Sequence, residues 1–201
     1  MPLPPDEEHL CIAVLDTSVL FDPYVRHMLL NLADDERYEV RWSNGILDEL
    51  GRALSSRVSD DKLQRSFQEM AARFPDALVG GRHPSPATPL LPDPDDRHVL
   101  SAALACGATH IVTNNLKDFP EKTLDLLGIE AASADTFLTW MYRENPTETL
   151  RVMKKQCLAY SKPPVRTLDE FADILEGRRL DTFIRALRGH GTSWRVSPSF
   201  R

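Results

Sequence analysis

Short apolar segments alternate with segments of helical periodicity between residues 11 and 143, and this alternation limits the folds open to the chain. CIAVL at residues 11–15 and THIVT at 109–113 have the length and the flanks of strands buried in a parallel sheet. YEVRW at residues 38–42 and IEAAS at 129–133 predict two further strands. Since helical segments separate these strands, we predict an α/β domain built on a central parallel sheet.

Capping signals place the helices between these strands. Asp22–Pro23 provides an N-cap followed by proline at the first helical position, and Gly107 ends an alanine-rich helix that starts at Asp95 or Asp96. Five prolines between residues 80 and 95 exclude regular structure from that segment. The helices of the α/β domain are predicted to begin near residues 22, 43, 60, 95, 121 and 133.

The pattern changes beyond Asn145–Pro146, where only helices are predicted, at residues 147–160, 168–176 and 180–188. SKPPVR at residues 161–166 is predicted to be a stiff joint, because proline fixes its own backbone and restricts the residue before it. The predicted organisation is an α/β domain at 11–143, a helical C-terminal extension at 146–190, and flexible tails at 1–10 and 191–201.

The length of 201 residues and the formal net charge of −6 bound the class of protein. No apolar run approaches the ~20 residues of a membrane helix, and the acidic start is the reverse of a secretory signal peptide. We therefore expect a cytoplasmic protein with no membrane segment. The negative charge excludes a generally basic nucleic-acid-binding surface, but it is compatible with a nuclease whose carboxylates bind metal ions.

The spacing of cysteines and histidines argues against a zinc site. Cys11, Cys106 and Cys157 are far apart and odd in number, no CxxC pair exists, and the histidines show no HxxxH spacing. Cys11 and Cys106 lie in apolar segments, so we predict that they are buried thiols, which suits a reducing cytoplasm.

Acidic residues occur where a parallel sheet would place a ligand. Ligands of open parallel sheets bind at the carboxyl ends of the strands, and Asp16 ends the first strand while Asp118 follows the strand THIVT. Asp96 lies at the start of the helix that leads into THIVT, and Glu49 lies one turn into the helix after YEVRW. Carboxylates this close repel one another unless a cation lies between them, and hard oxygen ligands suit Mg²⁺ or Mn²⁺.

Four motifs in order, AVLDTSVLFD, WSNGILDEL, DPDDRHVLSAAL and IVTNNLKDFP, resemble those of the PIN-domain nucleases. The closest resemblance is to the VapC-like toxins of type II toxin–antitoxin modules, and it covers residues 11 to about 142. It implies a PIN-like (Rossmann-like) three-layer sandwich with a central parallel sheet, here followed by an all-helical C-terminal extension. It also implies a ribonuclease that cleaves RNA phosphodiester bonds with Mg²⁺ or Mn²⁺.

The resemblance assigns the acids of the site. Asp16 matches the first acid of the family, Glu49 the second and Asp96 the third, and each is implied to be a catalytic metal ligand. The fourth position departs from the family, because Asn115 stands where Thr-x-Asp would have its carboxylate. Asp118, three residues further on, is the candidate that supplies the missing charge, and Asn115 remains a candidate ligand.

Supporting roles fall on hydroxyl and basic side chains near these acids. Thr17 or Ser18 is predicted to orient a water or a ligand beside Asp16, and Thr113 to do so across the site. Arg97 and Lys117 are candidates for contact with the RNA backbone.

Each acid also has an ordinary structural explanation. Asp16 would cap the turn after the first strand, Glu49 would be a solvated helix residue, and Asp96 would favour the helix dipole. His98 is expected to be a partly buried structural histidine. The acids that compete for the same roles are Asp48, Asp93 and Asp95.

The resemblance implies a homodimeric toxin inhibited by a cognate antitoxin that inserts a peptide across the acidic groove. The alternative is a catalytically weak or inactive PIN-fold module that binds RNA or protein, and Asn115 keeps it open. A haloacid-dehalogenase-like phosphatase would need a second Asp at Ser18. The C-terminal helices either pack on the domain or a sister subunit, or contact RNA or antitoxin through the basic residues Arg178, Arg179, Arg185, Arg188 and Arg195.

Overall fold

The fold is centred on one parallel sheet, seen in a computed structural model that describes residues 11–80, 91–160 and 167–189. The predicted tails, the joint at 161–166 and Arg195 lie outside the described residues. The sheet has five strands in the order β3-β2-β1-β4-β5. The strands are β1 (Ile12–Leu15), β2 (Glu39–Ser43), β3 (Leu78–Val79), β4 (His110–Val112) and β5 (Glu130–Ala132).

The first strand forms the centre of the sheet. Val14 of β1 pairs with Arg41 of β2 on one side and with Ile111 of β4 on the other, and all pairings are parallel. Ala13, Val14 and Leu15 are completely buried, as expected for a strand covered on both faces. The predicted α/β fold with a parallel central sheet is therefore confirmed.

Helices cover both faces of the sheet and form the C-terminal part of the chain. Asp22 caps α2 by accepting from the backbone N–H groups of Tyr24 and Val25, and Gly107 ends α5 with φ of +65°. Within the described ranges, no helix is long and apolar enough to span a bilayer. The helices are α1 (Thr17–Leu20), α2 (Pro23–Asp34), α3 (Asn44–Leu54), α4 (Asp60–Arg73), α5 (Arg97–Cys106), α6 (Glu121–Asp125), α7 (Ala134–Glu144), α8 (Pro146–Ala159), α9 (Leu168–Glu176) and α10 (Asp181–Gly189).

Three short elements differ from the sequence-based expectation. The helix α1 begins directly after Asp16, and the two-residue strand β3 pairs with the end of β2; neither was predicted. Pro94–Asp96 forms a 3₁₀ turn inside the segment that we expected to be irregular. Proline is compatible with this turn because it occupies the first position, where no backbone donor is required.

The C-terminal helices pack on the α/β part of the chain. Asp135 of α7 accepts from the backbone N–H groups of Thr182 (3.1 Å) and Phe183 (2.8 Å), and so caps α10. The Arg178 guanidinium donates to Asp22 at 2.8 Å and lies 4.5 Å from the ring centroid of Tyr24. This packing supports a structural role for the C-terminal helices.

Ion pairs also reduce the positive character expected of this part of the chain. Arg178 is paired with Asp22, and Arg188 is paired with Asp173 and Glu176. Two of the five arginines that favoured RNA contact are therefore neutralised by acids of the same chain.

The cysteines are free thiols, and the prediction for two of them was wrong. Cys11 and Cys106 are half-buried rather than buried, whereas Cys157 is buried. Cys11 and Cys106 lie at strand and helix ends, where the apolar segments reach the surface. Burial raises the pKa of all three thiols above the ordinary value, which makes them poor nucleophiles.

Candidate metal centre

The candidate site lies where the strand order of the sheet reverses. The first strand β1 has β2 on one side and β4 on the other, so connections leave in opposite directions at its carboxyl end. The backbone N–H of Asp16 donates to the carbonyl of Val112 at 3.0 Å, which joins the ends of β1 and β4. Open α/β sheets bind their ligands in the crevice at such a point.

Asp16 is fixed at this point by four donors. Its Oδ1 accepts from the backbone N–H of Thr17 at 2.7 Å. Its Oδ2 accepts from the Ser18 hydroxyl at 2.6 Å, the Ser18 backbone N–H at 3.4 Å and the Thr113 hydroxyl at 2.8 Å. The residue is only 2% exposed. Asp16 thus caps α1, as its structural explanation required, and also presents a buried carboxylate at the crevice.

The hydroxyl groups of Ser18 and Thr113 each donate to the Asp16 carboxylate and accept from a backbone N–H of the loop after β4. The Ser18 hydroxyl accepts from the backbone N–H of Asn114 at 2.9 Å, and the Thr113 hydroxyl accepts from that of Asn115 at 3.0 Å. Both side chains therefore connect the loop after β4 to Asp16. We expected these hydroxyls to orient a water or a ligand, and the structure places them on the acid itself.

Glu49 is held towards Asp16 by the adjacent residue Thr17. The Thr17 hydroxyl lies 2.9 Å from Oε2 of Glu49 and 3.3 Å from the carbonyl of Ile46, both on α3. The competing acid Asp48 is exposed and has no such connection to the α1 segment among the described residues. The structure thus favours Glu49 over Asp48 as the acid of α3 that belongs to the site.

Three further acids lie together beside these residues. Asp93, Asp96 and Asp118 each offer an oxygen atom, and these atoms lie within 4.8 Å of one another. Asp93 accepts from the backbone N–H of Asp95 at 2.9 Å and so caps the 3₁₀ turn that carries Asp96. The sequence presented Asp93 and Asp96 as competitors, but the structure brings both into the cluster.

The pKa of Asp96 depends on the other acids of the site. Its pKa is raised from 3.8 to about 6, first by burial and then by the neighbouring carboxylates. Such a group of acids is stable only with protons or cations between them, and its hard oxygen atoms fit Mg²⁺ or Mn²⁺. The carboxylates that raise the pKa are those of Asp16, Asp118, Asp93 and Glu49.

The remaining predicted residues lie at the edge of the site. Asn115 is exposed, and its side chain forms no hydrogen bond with a described residue, whereas the side chain of Asp118 is only 13% exposed. The Lys117 side chain is 85% exposed, with its Nζ 3.9 Å from Oδ2 of Asp118. Arg97 is partly buried at the start of α5.

Comparison with known families agrees with this arrangement. The PIN domain model matches residues 13–117, just over half of the 201 residues, and the VapC50 C-terminal domain model matches residues 134–189. The chain therefore belongs to the PIN-domain family. The two matches together support a PIN-domain VapC-like toxin, which confirms the resemblance drawn from the four motifs. No curated protein and no solved structure matches the chain significantly.

Proposed function

We propose that the protein is a divalent-metal-dependent endoribonuclease that hydrolyses RNA phosphodiester bonds as the toxin of a toxin–antitoxin module. The observation that carries this proposal is the convergence of carboxylates from the end of β1, from α3, from the 3₁₀ turn and from the loop after β4. These are the carboxylates of Asp16, Glu49, Asp96 and Asp118, with Asp93 beside them.

The proposed ligands of the cation are Asp16, Glu49, Asp96 and Asp118, with Asn115 as a weaker candidate. A bound Mg²⁺ or Mn²⁺ lowers the pKa of a coordinated water and offsets the charge of a phosphodiester. The protein keeps the ligands in place before the cation arrives, because Thr113 and Ser18 hold Asp16 and Thr17 holds Glu49. Asp93 adds negative charge and supports the turn that carries Asp96.

The proposed partners follow from the same surface. Arg97 and Lys117 lie next to the acidic cluster and are proposed to contact the phosphates that flank the scissile bond. An acidic groove attracts a basic peptide, which supports a cognate antitoxin segment as the inhibitor. We propose a cytoplasmic homodimer as the working form of the toxin.

The test of this function is cleavage of a fluorescent single-stranded RNA by the purified chain with Mg²⁺, Mn²⁺ or EDTA. We expect cleavage only with the cations, and Asp16→Asn to abolish it. Glu49→Gln should lower the rate at least ~10-fold, the scale typical of an altered metal site. The matched control is Asp48→Asn, the neighbouring exposed acid of α3, which should keep the rate. Undiminished cleavage in EDTA, or by purified Asp16→Asn, would refute the proposal.

A catalytically weak binding module is the second candidate, and the amide of Asn115 favours it because the site has one formal charge fewer there. This candidate predicts that the chain binds Mn²⁺ and RNA but leaves the RNA intact under every metal condition. Isothermal titration and filter binding on the same protein sample distinguish the two.

A further inference from the structure

The strand β5 forms one edge of the sheet, and no described strand pairs with its outer side. The backbone N–H of Glu130 donates to the carbonyl of Thr109 at 2.9 Å, and the carbonyl of Ala132 accepts from the backbone N–H of Thr113 at 2.9 Å. These two residues of β5 therefore face β4, and the N–H and C=O of Ala131 between them point away from it. Outside the ladder, Ala131 has no backbone hydrogen bond within the described ranges.

A pocket of about 670 Å³ lies against β5 on the side of α6, and Ala131 is one of its lining residues. Leu116, in the loop after β4, is 44% exposed at this pocket. An apolar side chain that entered the pocket would cover this surface and gain from leaving water. The apolar part of the lining is formed by Leu116, Phe119, Pro120, Leu124 and Ile129.

A second pocket, of about 380 Å³, lies against β5 on the side of α7. Ala132 lines only this second pocket, and Ala131 lines only the first. Since successive side chains of a strand point to opposite faces, the two pockets lie on the two faces of the sheet edge. The ring of Trp140 stacks on that of His110 in the second pocket, with centroids 5.1 Å apart and planes 10° apart.

Glu130 gives the second pocket a negative charge. Its side chain is 71% exposed, and its Oε2 lies 3.8 Å from Nε2 of His110. Burial lowers the pKa of His110, so the ring is uncharged at neutral pH and does not offset the carboxylate. An aromatic wall beside an exposed carboxylate suits a cation, above all a guanidinium, which stacks on aromatic rings.

The charges around the first pocket favour a peptide over RNA. Glu121 and Glu130 line it and are exposed, while Nζ of Lys117 lies 3.9 Å from Oδ2 of Asp118. A phosphodiester chain along this edge would face carboxylates, which repel it. The backbone of a peptide is uncharged and provides the donor and acceptor that Ala131 leaves open.

We propose that the edge of β5 binds an extended peptide segment of a partner protein in which apolar and basic residues alternate. The segment adds a strand beside β5 through main-chain hydrogen bonds to Ala131. Its apolar side chains enter the pocket beside α6, and its basic side chains contact Glu130 and Trp140 on the other face. This surface lies beside the candidate metal centre and requires no cation, so the inference goes beyond the proposed function.

The experiment measures binding of a fluorescent seven-residue peptide of alternating leucine and arginine, with blocked ends, to the full chain in EDTA. Fluorescence anisotropy should show saturable binding, whereas a peptide with glutamate in place of arginine should not bind, because Glu130 repels it. Two further peptides carry N-methyl groups on all leucines or on all arginines. Since only every second N–H of a strand faces its neighbour, one of the two should lose affinity at least ~10-fold and the other should retain it.

Variants of the chain test the same contacts from the other side. Ala131→Pro removes the outward N–H without breaking the ladder, so it should weaken peptide binding about 5-fold or more, whereas Ala131→Ser should not. Glu130→Gln should weaken binding about 3-fold, the scale of an exposed ion pair. The matched control is Glu69→Gln, an exposed acid of α4, which should bind as tightly as the parent.

The outcomes separate this inference from the proposed function. Absence of saturable binding, or equal affinity of the two N-methylated peptides, overturns the strand addition and leaves the nuclease proposal intact. Loss of binding in Asp96→Asn but not in Ala131→Pro would place the peptide in the acidic crevice and also overturn it. If Ala131→Pro proves unfolded in thermal unfolding, the N-methylated peptides decide. A chain that binds the peptide but cleaves no RNA would refute only the nuclease.

Discussion

The hydroxyl of Thr113, directly after β4, donates a hydrogen bond of 2.8 Å to Oδ2 of Asp16, directly after the neighbouring strand β1. Thr113 is completely buried and Asp16 is 2% exposed, so water competes little for this contact. The bond keeps the carboxylate in one orientation at the point where the strand order reverses. The fold itself therefore fixes the orientation of this acid, which is one of the proposed ligands of the cation.

Replacing Thr113 with valine should destabilise the protein, because the valine methyl group fills the same volume but donates no hydrogen bond to the carboxylate. Hydrogen bonds to charged groups contribute about 1.5–3 kcal/mol, so we expect a loss of this size in the free energy of unfolding. The measurement is urea unfolding in EDTA, with Thr113→Ser as the control that keeps the hydroxyl. A valine variant as stable as the parent would show that the bond contributes nothing.

The raised pKa of Asp96 predicts how the stability of the metal-free protein depends on pH. The pKa is about 6 in the folded chain and near 3.8 otherwise, so between these values the folded state binds more protons than the unfolded state. Stability from this group is then highest below about pH 4 and is lost as the pH rises through about 6. We expect the effect to be on the order of 1 kcal/mol, since Asp96 is only partly buried.

The comparison that isolates this effect is Asp96→Asn, which removes the titrating group. Asp96 makes no side-chain capping hydrogen bond to α5, so replacing its carboxylate with an amide removes no capping interaction. In EDTA, the variant should unfold at higher urea concentration than the parent at pH 7 and lose this advantage at pH 4.5. A difference between the two proteins that stays constant with pH would contradict the assignment.

Asp135 should stabilise the C-terminal helices through its two hydrogen bonds to the first turn of α10. Asp135→Ala removes an N-cap side chain, which typically costs about 0.5–2 kcal/mol. Asp135→Asn keeps one acceptor oxygen and should lie between alanine and the parent in chemical unfolding. If the alanine variant matched the parent in stability, α10 would be held by its apolar face alone.

The fold was predictable because its main signals are local. The strand β1 and the cap at Asp22 are visible in a few consecutive residues. The parallel sheet follows from the alternation of strands and helices along the chain. The strand β3 has two residues, and only its pairing of Leu78 with Trp42 makes it a strand. Such a pairing joins distant parts of the chain and leaves no local pattern, which is why the prediction missed it.

The site was predictable in its location but not in all of its contacts. Strand ends that meet in a parallel sheet indicated where Asp16 would lie, and the placement of Asp96 and Asp118 follows the same logic. The contact between Gly45 and His98 depends on the packing of α3 against α5, which no motif reports. Asp93 lies in the acidic cluster because it caps the 3₁₀ turn at Pro94–Asp96. The repeated acids of DPDD do not indicate the geometry of this turn. Their roles as ligands remain predictions.

The departure from the family at the fourth acid position leads to a prediction about two residues of one loop. Asp118 lies with Asp93 and Asp96, while Asn115 is exposed and contributes its backbone N–H to Thr113. If Asp118 supplies the charge that Asn115 lacks, Asp118→Asn should weaken Mn²⁺ binding and lower the cleavage rate at least ~10-fold. The control is Asp125→Asn, which removes an exposed acid of α6 and should leave both unchanged.

Asn115→Asp should then strengthen Mn²⁺ binding in the parent and partly restore it in Asp118→Asn, because either carboxylate adds charge to the same side of the site. Residues that share a site are coupled by about 0.5–3 kcal/mol, so the four proteins of the cycle should deviate from additivity by that amount. The measurement is Mn²⁺ titration of RNA cleavage across the cycle, with binding followed on the same samples. Strict additivity, or a fully active Asp118→Asn, would mean that Asp118 is only a loop residue. Binding of the cation would then depend on Asp16, Glu49 and Asp96. A single tightly bound ion, rather than the larger site that includes Asp118, would then explain the activity.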